Sequence, residues 1–297
     1  MRLLITGGSG FVGRHVLARL PPTCQWTATY YRRPPAEPGP RWWPLDLRDA
    51  AAVRAVVRAA RPDTILHLAY DKADPAVTAA GTQHLVEAAT AVGARVLLLS
   101  TDQVFDGRRG GYREEDPPAP VNAYGAAKLA AEEAVVAASG LVVRTSLVYR
   151  LAPPDPGNHA LLLAPLAQGR TPRLFVDERR SPIYVEDLAA ALLELLIPPL
   201  REAWERLGVA RRLHVAGPEA LDRYTFACQL APCFGIPITR LQAARLATSG
   251  LDRPADCSLD SRRARALLRT PLRAVATVLA AAAPSTATPA PSSDAGV

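Results

Sequence analysis

The opening residues MRLLITGGSGFVGRHVLARL constrain the fold more than any other stretch of the chain. RLLIT (2–6) is a short apolar run that reads as a buried strand. It leads straight into ITGGSGFVG (5–13), and the helical pattern FVGRHVLARL (11–20) opens within that loop. Gly7, Gly10 and Gly13 stand at G-x-x-G-x-x-G spacing, with Phe11 and Val12 between the last two. Glycines there permit a tight turn and let a pyrophosphate approach the backbone, while the first turn of a helix offers free N–H groups and partial positive charge. The glycine spacing alone is a weak signal; its place between a first strand and a first helix makes it a dinucleotide loop.

The rest of the N-terminal half continues the alternation. Strands are predicted over 25–31, 41–47, 64–69, 94–100 and 141–149, and helices over 51–60, 82–92 and 123–138. Strand–helix repetition of this kind predicts an α/β protein with a Rossmann-type, doubly wound parallel sheet. Past residue 150 the pattern loosens. APPDPG (152–157) reads as a loop, VEDLAAALLELL (185–196) as a helix and RLHVAG (212–217) as one more strand, with helical stretches near 221–233 and 260–280. The expected organisation is a dinucleotide-binding domain over 1–150 that also takes in about 183–216. A smaller substrate-binding part covers 151–182 and 217–279. The Ala/Pro/Ser/Thr-rich end, 280–297, carries almost no bulky apolar residue and is expected to be disordered.

Cofactor choice is read after the second strand, where an acidic residue would bond a ribose 2′-hydroxyl and repel a 2′-phosphate. TYYRRPP supplies Arg32 and Arg33 and no carboxylate, which predicts NADPH over NADH. Asp46 and Leu47 end the third strand and are expected to flank the adenine, while Asp49 reads as a helix cap.

Of 35 basic residues, only Lys72 and Lys128 are lysines. Lys128 follows Tyr124 by four residues on a predicted helix, so the two share a face. A tyrosine poised there can protonate a carbonyl oxygen as a hydride arrives, and a neighbouring ammonium would lower its pKa from near 10. Ser100 and Thr101 end the preceding strand, the edge at which such sheets build their sites. Tyr149 ends the next strand on the same side. Lys72 falls in a loop with no evident task, so Lys128→Arg is expected to cost far more activity than Lys72→Arg.

The net charge of +7 has no basic block interleaved with aromatics, which argues against nucleic acid and suits a small polyanionic ligand. The longest apolar runs are too short for a membrane helix, no secretory leader is read, and the expected location is cytoplasmic. Cys24, Cys228, Cys233 and Cys257 match no zinc spacing, so reduced thiols and no metal site are expected.

The segments TGGSGFVG, HLAY, STDQVFDG, YREEDPPAPVNAYGAAK, VRTSLVY, RRSPIYVEDLA and RPADCSLD occur in order over about 1–278. As a set they resemble the extended short-chain dehydrogenase/reductase superfamily, and within it the dTDP-4-dehydrorhamnose reductase family. The resemblance implies a Thr101–Tyr124–Lys128 triad, with Lys128 also on the nicotinamide ribose. It implies that Leu68, Ala69 and Tyr70 run past that ribose, with Ser100 beside the cofactor and His67 a packed strand residue. On the substrate side it implies Asp102, Val104, Phe105, Tyr149, Arg180 and Ser181. The implied reaction is reduction of a nucleotide-linked 4-keto-6-deoxysugar by NADPH, with a homodimer as an open expectation. Gln103 stands where related dehydratases carry a glutamate, which argues against dehydration. Thr78 replaces an asparagine common in the family. The rival readings are a non-sugar ketone reductase, an epimerase that keeps its cofactor, and a cofactor-binding regulatory subunit resembling that of methionine adenosyltransferase.

Overall fold

The first strand, β1 (Arg2–Thr6), is buried at four of its five positions. A strand with no polar face belongs in the middle of a sheet covered on both sides. The computed structural model describes residues 1–37, 39–152, 170–197 and 211–282, together with Leu163, Pro165, Trp204 and Leu207. After β1 come α1 (Phe11–Leu17), β2 (Gln25–Tyr30), β3 (Trp42–Pro44), α2 (Ala50–Ala60), β4 (Thr64–His67), α3 (Pro75–Val92) and β5 (Arg95–Thr101). Then follow α4 (Ala123–Ala137), β6 (Leu141–Thr145), β7 (Val148–Tyr149), β8 (Arg173–Phe175), β9 (Arg179–Arg180), β10 (Ile183–Tyr184), α5 (Val185–Leu196) and β11 (Arg212–His214). The described chain ends with β12 (Leu221–Asp222), α6 (Arg223–Leu230), β13 (Gln242–Ala244), α7 (Arg262–Leu267) and α8 (Val275–Ala282).

Seven strands form one sheet in the order β3-β2-β1-β4-β5-β6-β11, and every ladder is parallel. The chain reverses its direction across the sheet between β1 and β4, and ligands of open α/β sheets bind beyond the strand ends at such a switch point. One apolar core joins Leu3, Ile5, Val143 and Leu213 to α1 and α5. A second joins Leu4, Ile65, Leu98 and Val142 to α2, α3 and α4. Asp49 caps α2 through Ala51 and Ala52, as its position predicts. Among the described residues no helix is long and apolar enough to cross a membrane.

Several expected elements differ in extent. The helix predicted over 82–92 starts at Pro75, because Asp74 caps it and proline is tolerated in a first turn. The strand predicted over 141–149 is broken after Thr145. There Ser146 turns its hydroxyl to Asp102, and β7 leaves the main sheet to pair with β10. The helix predicted over 260–280 is two helices. Proline at 271 cannot continue a helix, and Arg273 beyond it reaches back to Asp187 at the start of α5. Asp187 is therefore a structural clamp. The 153–157 part of the expected loop and residues 283–297 of the expected disordered tail lie outside the described residues.

Helix α4 is tied to the sheet by charge as well as by packing. Glu132 on α4 and Arg144 on β6 form an ion pair at 2.7 Å with both side chains 0% exposed. The same carboxylate accepts from Ser100 on β5 at 2.6 Å and from Arg212 on β11 at 3.1 Å. Arg144 also lies over the Phe105 ring, 4.9 Å from its centroid. Near its N-terminus α4 presses on the segment after β5: a Cβ at Gly125 would stand 2.2 Å from the carbonyl oxygen of Gln103.

Two outcomes follow. Glu132→Ala leaves a buried guanidinium unpaired and should cost about 3–5 kcal/mol, read from the urea midpoint, whereas Glu132→Leu with Arg144→Met should recover most of that loss. An equal loss in the double variant would show that the pair is not the source. Gly125→Ala forces α4 away from Gln103 and should lower turnover by more than about tenfold, with a smaller relative effect on cofactor affinity.

Candidate active site

The strand ends at the switch point open into a cleft of ≈ 820 Å³. Gly7, Gly10, Phe11, Val12 and Gly13 line one end, as the glycine spacing predicts. Gly7 has φ +69°, and a Cβ on it would lie 2.8 Å from the Ala69 nitrogen. A Cβ on Gly13 would lie 2.5 Å from the Gly8 carbonyl oxygen. Side chains at these two positions would strike the protein's own backbone, so the glycines let the turn and the start of α1 close tightly on the strand ends, a shape that fits the pyrophosphate of a nicotinamide dinucleotide. Leu68 and Tyr70 form the neighbouring wall, and Ala69 contributes the backbone that meets Gly7.

The two arginines after β2 part company. Arg33 lines the cleft. Arg32 points to solvent, 69% exposed, stacked on Tyr31 and 3.8 Å from Asp71. Asp46 and Leu47 do not reach the cleft as expected. Arg48 grips the Asp46 carboxylate at 2.7 Å, and this hydrogen-bonded cation lowers its pKa to about 2. Leu47 is core, packed where a Cβ on Gly81 would come within 2.7 Å.

At the centre, Thr101, Tyr124 and Lys128 line the cleft together. The Thr101 hydroxyl favours the ionised form of the Tyr124 phenol and donates to Asp102 at 3.1 Å. Asn122 caps α4 through Gly125 and donates to Gln103 at 3.2 Å, which fixes the turn that presents Tyr124. Crowding by the cleft walls pushes Tyr124 well above its ordinary pKa, and Tyr70 and Asp102 push in the same direction. Lys128 is 2% exposed, and burial pulls its pKa down to about 8. Its ammonium donates to the Leu99 carbonyl at 2.9 Å and lies 4.9 Å from the centre of the Tyr70 ring. The expected direct action of Lys128 on Tyr124 gives way to this geometry: the contacts of its ammonium are with Leu99 and Tyr70. Ser100 is on the cleft wall, but its hydroxyl is committed to Glu132.

His67 is packed between Thr6 and Thr82 at 2.6 and 2.9 Å, with its pKa lowered to about 3 by burial and by Lys128, so it is neutral structure. Thr78 braces the Asp71 backbone in the loop carrying Lys72, with both contacts at 3.3 Å. That is the bond made at the position where an asparagine is common.

On the substrate side, Asp102 and Arg180 line the cleft and face each other at 3.5 Å. Ser146 donates to Asp102 at 2.6 Å. Val104 and Phe105, expected at the substrate, are 0% exposed and belong to a core with Tyr112, where Phe105 stacks at 4.2 Å. Tyr149 is likewise core, held by Tyr184 and Phe226, because β7 turns away from the main sheet. Ser181 is a strut: its nitrogen donates to Ser146 and its hydroxyl to the Leu259 carbonyl. Glu114, in a charged segment REED (113–116) that composition alone would leave in solvent, is buried and accepts from the His214 backbone nitrogen.

Gln103 lines the cleft as well, and so do residues not expected there: Lys72, Asn122, Glu178, Arg223 and Arg253. Glu178 holds Arg223 at 2.9 Å and Arg180 at 3.3 Å. Asn122, placed just before an Ala-rich helix, carried a readable capping signal. Lys72 carried one too, in its rarity. Glu178, Arg223 and Arg253 come from segments with no motif of their own.

The family model described as "RmlD substrate binding domain" matches residues 1–286. The dTDP-4-dehydrorhamnose reductase of Mycobacterium tuberculosis is 34% identical, with 96% of this chain and 94% of the relative covered. Methionine adenosyltransferase 2 subunit beta of Xenopus tropicalis is 29% identical, with 81% and 74% covered. The crystal structure of dTDP-4-dehydrorhamnose reductase from Bacillus anthracis in complex with NADP superposes with a TM-score of 0.77 at 26% identity, covering 94% of this chain and 97% of that one. With a parallel sheet, a glycine cradle and a Thr–Tyr–Lys set in one cleft, and a family match spanning nearly all of its length, the chain belongs to the RmlD substrate binding domain family, among the NAD(P)-dependent oxidoreductases of the extended short-chain dehydrogenase/reductase type.

Proposed function

We propose that the chain is a cytoplasmic, NADPH-preferring reductase of a nucleotide-linked 4-keto-6-deoxysugar. The observation that carries the reading is that one cleft is lined by all three parts: the glycine cradle, Thr101 with Tyr124, and the arginines Arg180, Arg223 and Arg253 among the carboxylates that orient them. A dinucleotide suits the first part, a ketone the second and the diphosphate of a nucleotide sugar the third. Bound nicotinamide in its reduced form supplies the hydride. Thr101 holds the ketone oxygen, and Tyr124 gives it a proton as the alkoxide forms, a contribution of about 10²–10⁴-fold. Lys128 orients the ribose from beneath, with its carbonyl partner fixing the ammonium. Arg33 meets the 2′-phosphate, and Gln103 at the dehydratase glutamate position favours reduction.

A second reading has a specific basis in the subunit-beta relatives, whose name assigns them to methionine adenosyltransferase. A regulatory protein of that kind would bind cofactor and turn over no ketone. Monitoring NADPH oxidation with a panel of dTDP-4-keto-6-deoxysugars separates the two: turnover of at least one is expected, and cofactor binding with no turnover of any keto sugar favours regulation. On the same assay Arg33→Ala should reduce the preference for NADPH over NADH about tenfold, the loss of roughly one charge-assisted bond. An unchanged preference would remove Arg33 from the role.

Lys128 sets a pH limit. Its folded pKa of about 8 lies below the ordinary lysine value, so the ammonium is present below that pH and is lost as pH rises through it. The kcat/KM profile, which reports the free enzyme, should therefore fall above about pH 8. Lys128→Arg should lower kcat/KM by on the order of 10²-fold, with the fold intact by circular dichroism, because a planar guanidinium does not fit the fully buried site. An alkaline limb near pH 10, or full activity in Lys128→Arg, would contradict this role.

A further inference from the structure

Lys72 is the other lysine, and the fold brings it to the same cleft as Lys128. Its ammonium lies 5.2 Å from the centre of the Tyr124 ring. Lys128 lies over Tyr70 instead, and the two tyrosine rings are neighbours at 5.8 Å. The cleft therefore holds two lysine–tyrosine pairs, and the pair that contains the proton donor is not the one that the four-residue spacing suggests. We propose that Lys72 is a positioning residue for the reaction: its ammonium, held over Tyr124, stabilises the negative charge that Tyr124 acquires when its proton passes to the substrate oxygen.

The inference rests on the reductase reading above. In that step the Tyr124 O–H bond breaks and an O–H bond forms on the former ketone oxygen, while the hydride of a reduced nicotinamide reaches the ketone carbon. Tyr124 is left as a phenolate until it recovers a proton from solvent. Tyr70 and Asp102 both oppose that phenolate, as does crowding by the walls, and the Thr101 hydroxyl alone assists it. A cation over the ring face adds the missing assistance, because phenolate formation makes the ring region more negative. Asp102 favours the charged form of Lys72, while the walls, Arg223 and Arg253 oppose it. The Lys72 side chain is solvent-exposed in the open cleft. Ligands filling that cleft would displace water from beside it and strengthen its interaction with Tyr124. Thr78 serves the same end by bracing the Asp71 backbone next to it.

The test uses the full chain with Lys72→Met, which keeps length and removes charge, and Lys72→Arg, which keeps a cation able to lie over a ring. Expected are a loss of about 30-fold in kcat for Lys72→Met, unchanged affinity for NADPH by fluorescence titration, and kcat within about threefold of the parent for Lys72→Arg. Parental kcat in Lys72→Met, or equal loss in both variants, overturns the proposal. A second measurement needs no substrate. With only two lysines, lysine-labelled protein shows two resolvable side-chain signals by NMR. That of Lys72 should be shifted by the Tyr124 ring current, and Tyr124→Leu should abolish the shift and lower the Lys72 titration midpoint by about half a pH unit. A Lys72 signal indifferent to Tyr124→Leu overturns the proposal even if the enzyme is active. If no ketone is turned over, the reductase reading fails, and the NMR result alone decides whether Lys72 and Tyr124 are coupled.

Discussion

The buried carboxylate of Glu132 is the point on which the site depends. It sits one helical turn beyond Lys128 and joins α4 to three strands through Ser100, Arg144 and Arg212. A charge so completely removed from water is stable only when its partners are in place, which makes its geometry close to all-or-none. The consequence is felt up the helix. With Glu132 anchored, Lys128 reaches the Leu99 carbonyl and Tyr124 reaches Thr101. Gly125 lets the same helix approach Gln103 without a side chain between them.

A second tier of charge surrounds the open arm of the cleft. Asp102 is shared by Thr101, Ser146 and Arg180, so the strand that carries Thr101 and the segment that carries Arg180 hold a common position. Glu178 does the same for Arg180 and Arg223. These arginines are oriented by carboxylates within the protein, which limits the rotamer entropy lost when an anionic ligand meets them. Lys72 lies between this tier and Tyr124, and so links these arginines to the proton donor.

Much of this was legible in the chain itself. The glycine loop was readable because close backbone approach demands glycine, and the parallel sheet because buried strands alternate with amphipathic helices. Tyr124 and Lys128 share a helix, so their common face follows from the helical repeat. The misplacements have equally physical causes. Val104, Phe105 and Tyr149 stand at or just beyond strand ends, where a residue can turn to the cleft or to the core. Hydrophobic packing against Tyr112, Tyr184 and Phe226 took them inward. Asp46 is paired with Arg48, two residues away, a local ion pair that spacing alone does not announce.

By itself, the sequence determined the order of strands and helices, the glycine cradle and the face shared by Tyr124 and Lys128, because each depends on interactions within a few residues. Only the tertiary structure decided that Lys128 turns to Leu99 and Tyr70, that Lys72 lies over Tyr124, and that Glu178, Arg223 and Arg253 complete the cleft. Those outcomes depend on side chains far apart in the chain meeting across a closed packing arrangement, and no local periodicity records which of two lysines will face which of two tyrosines.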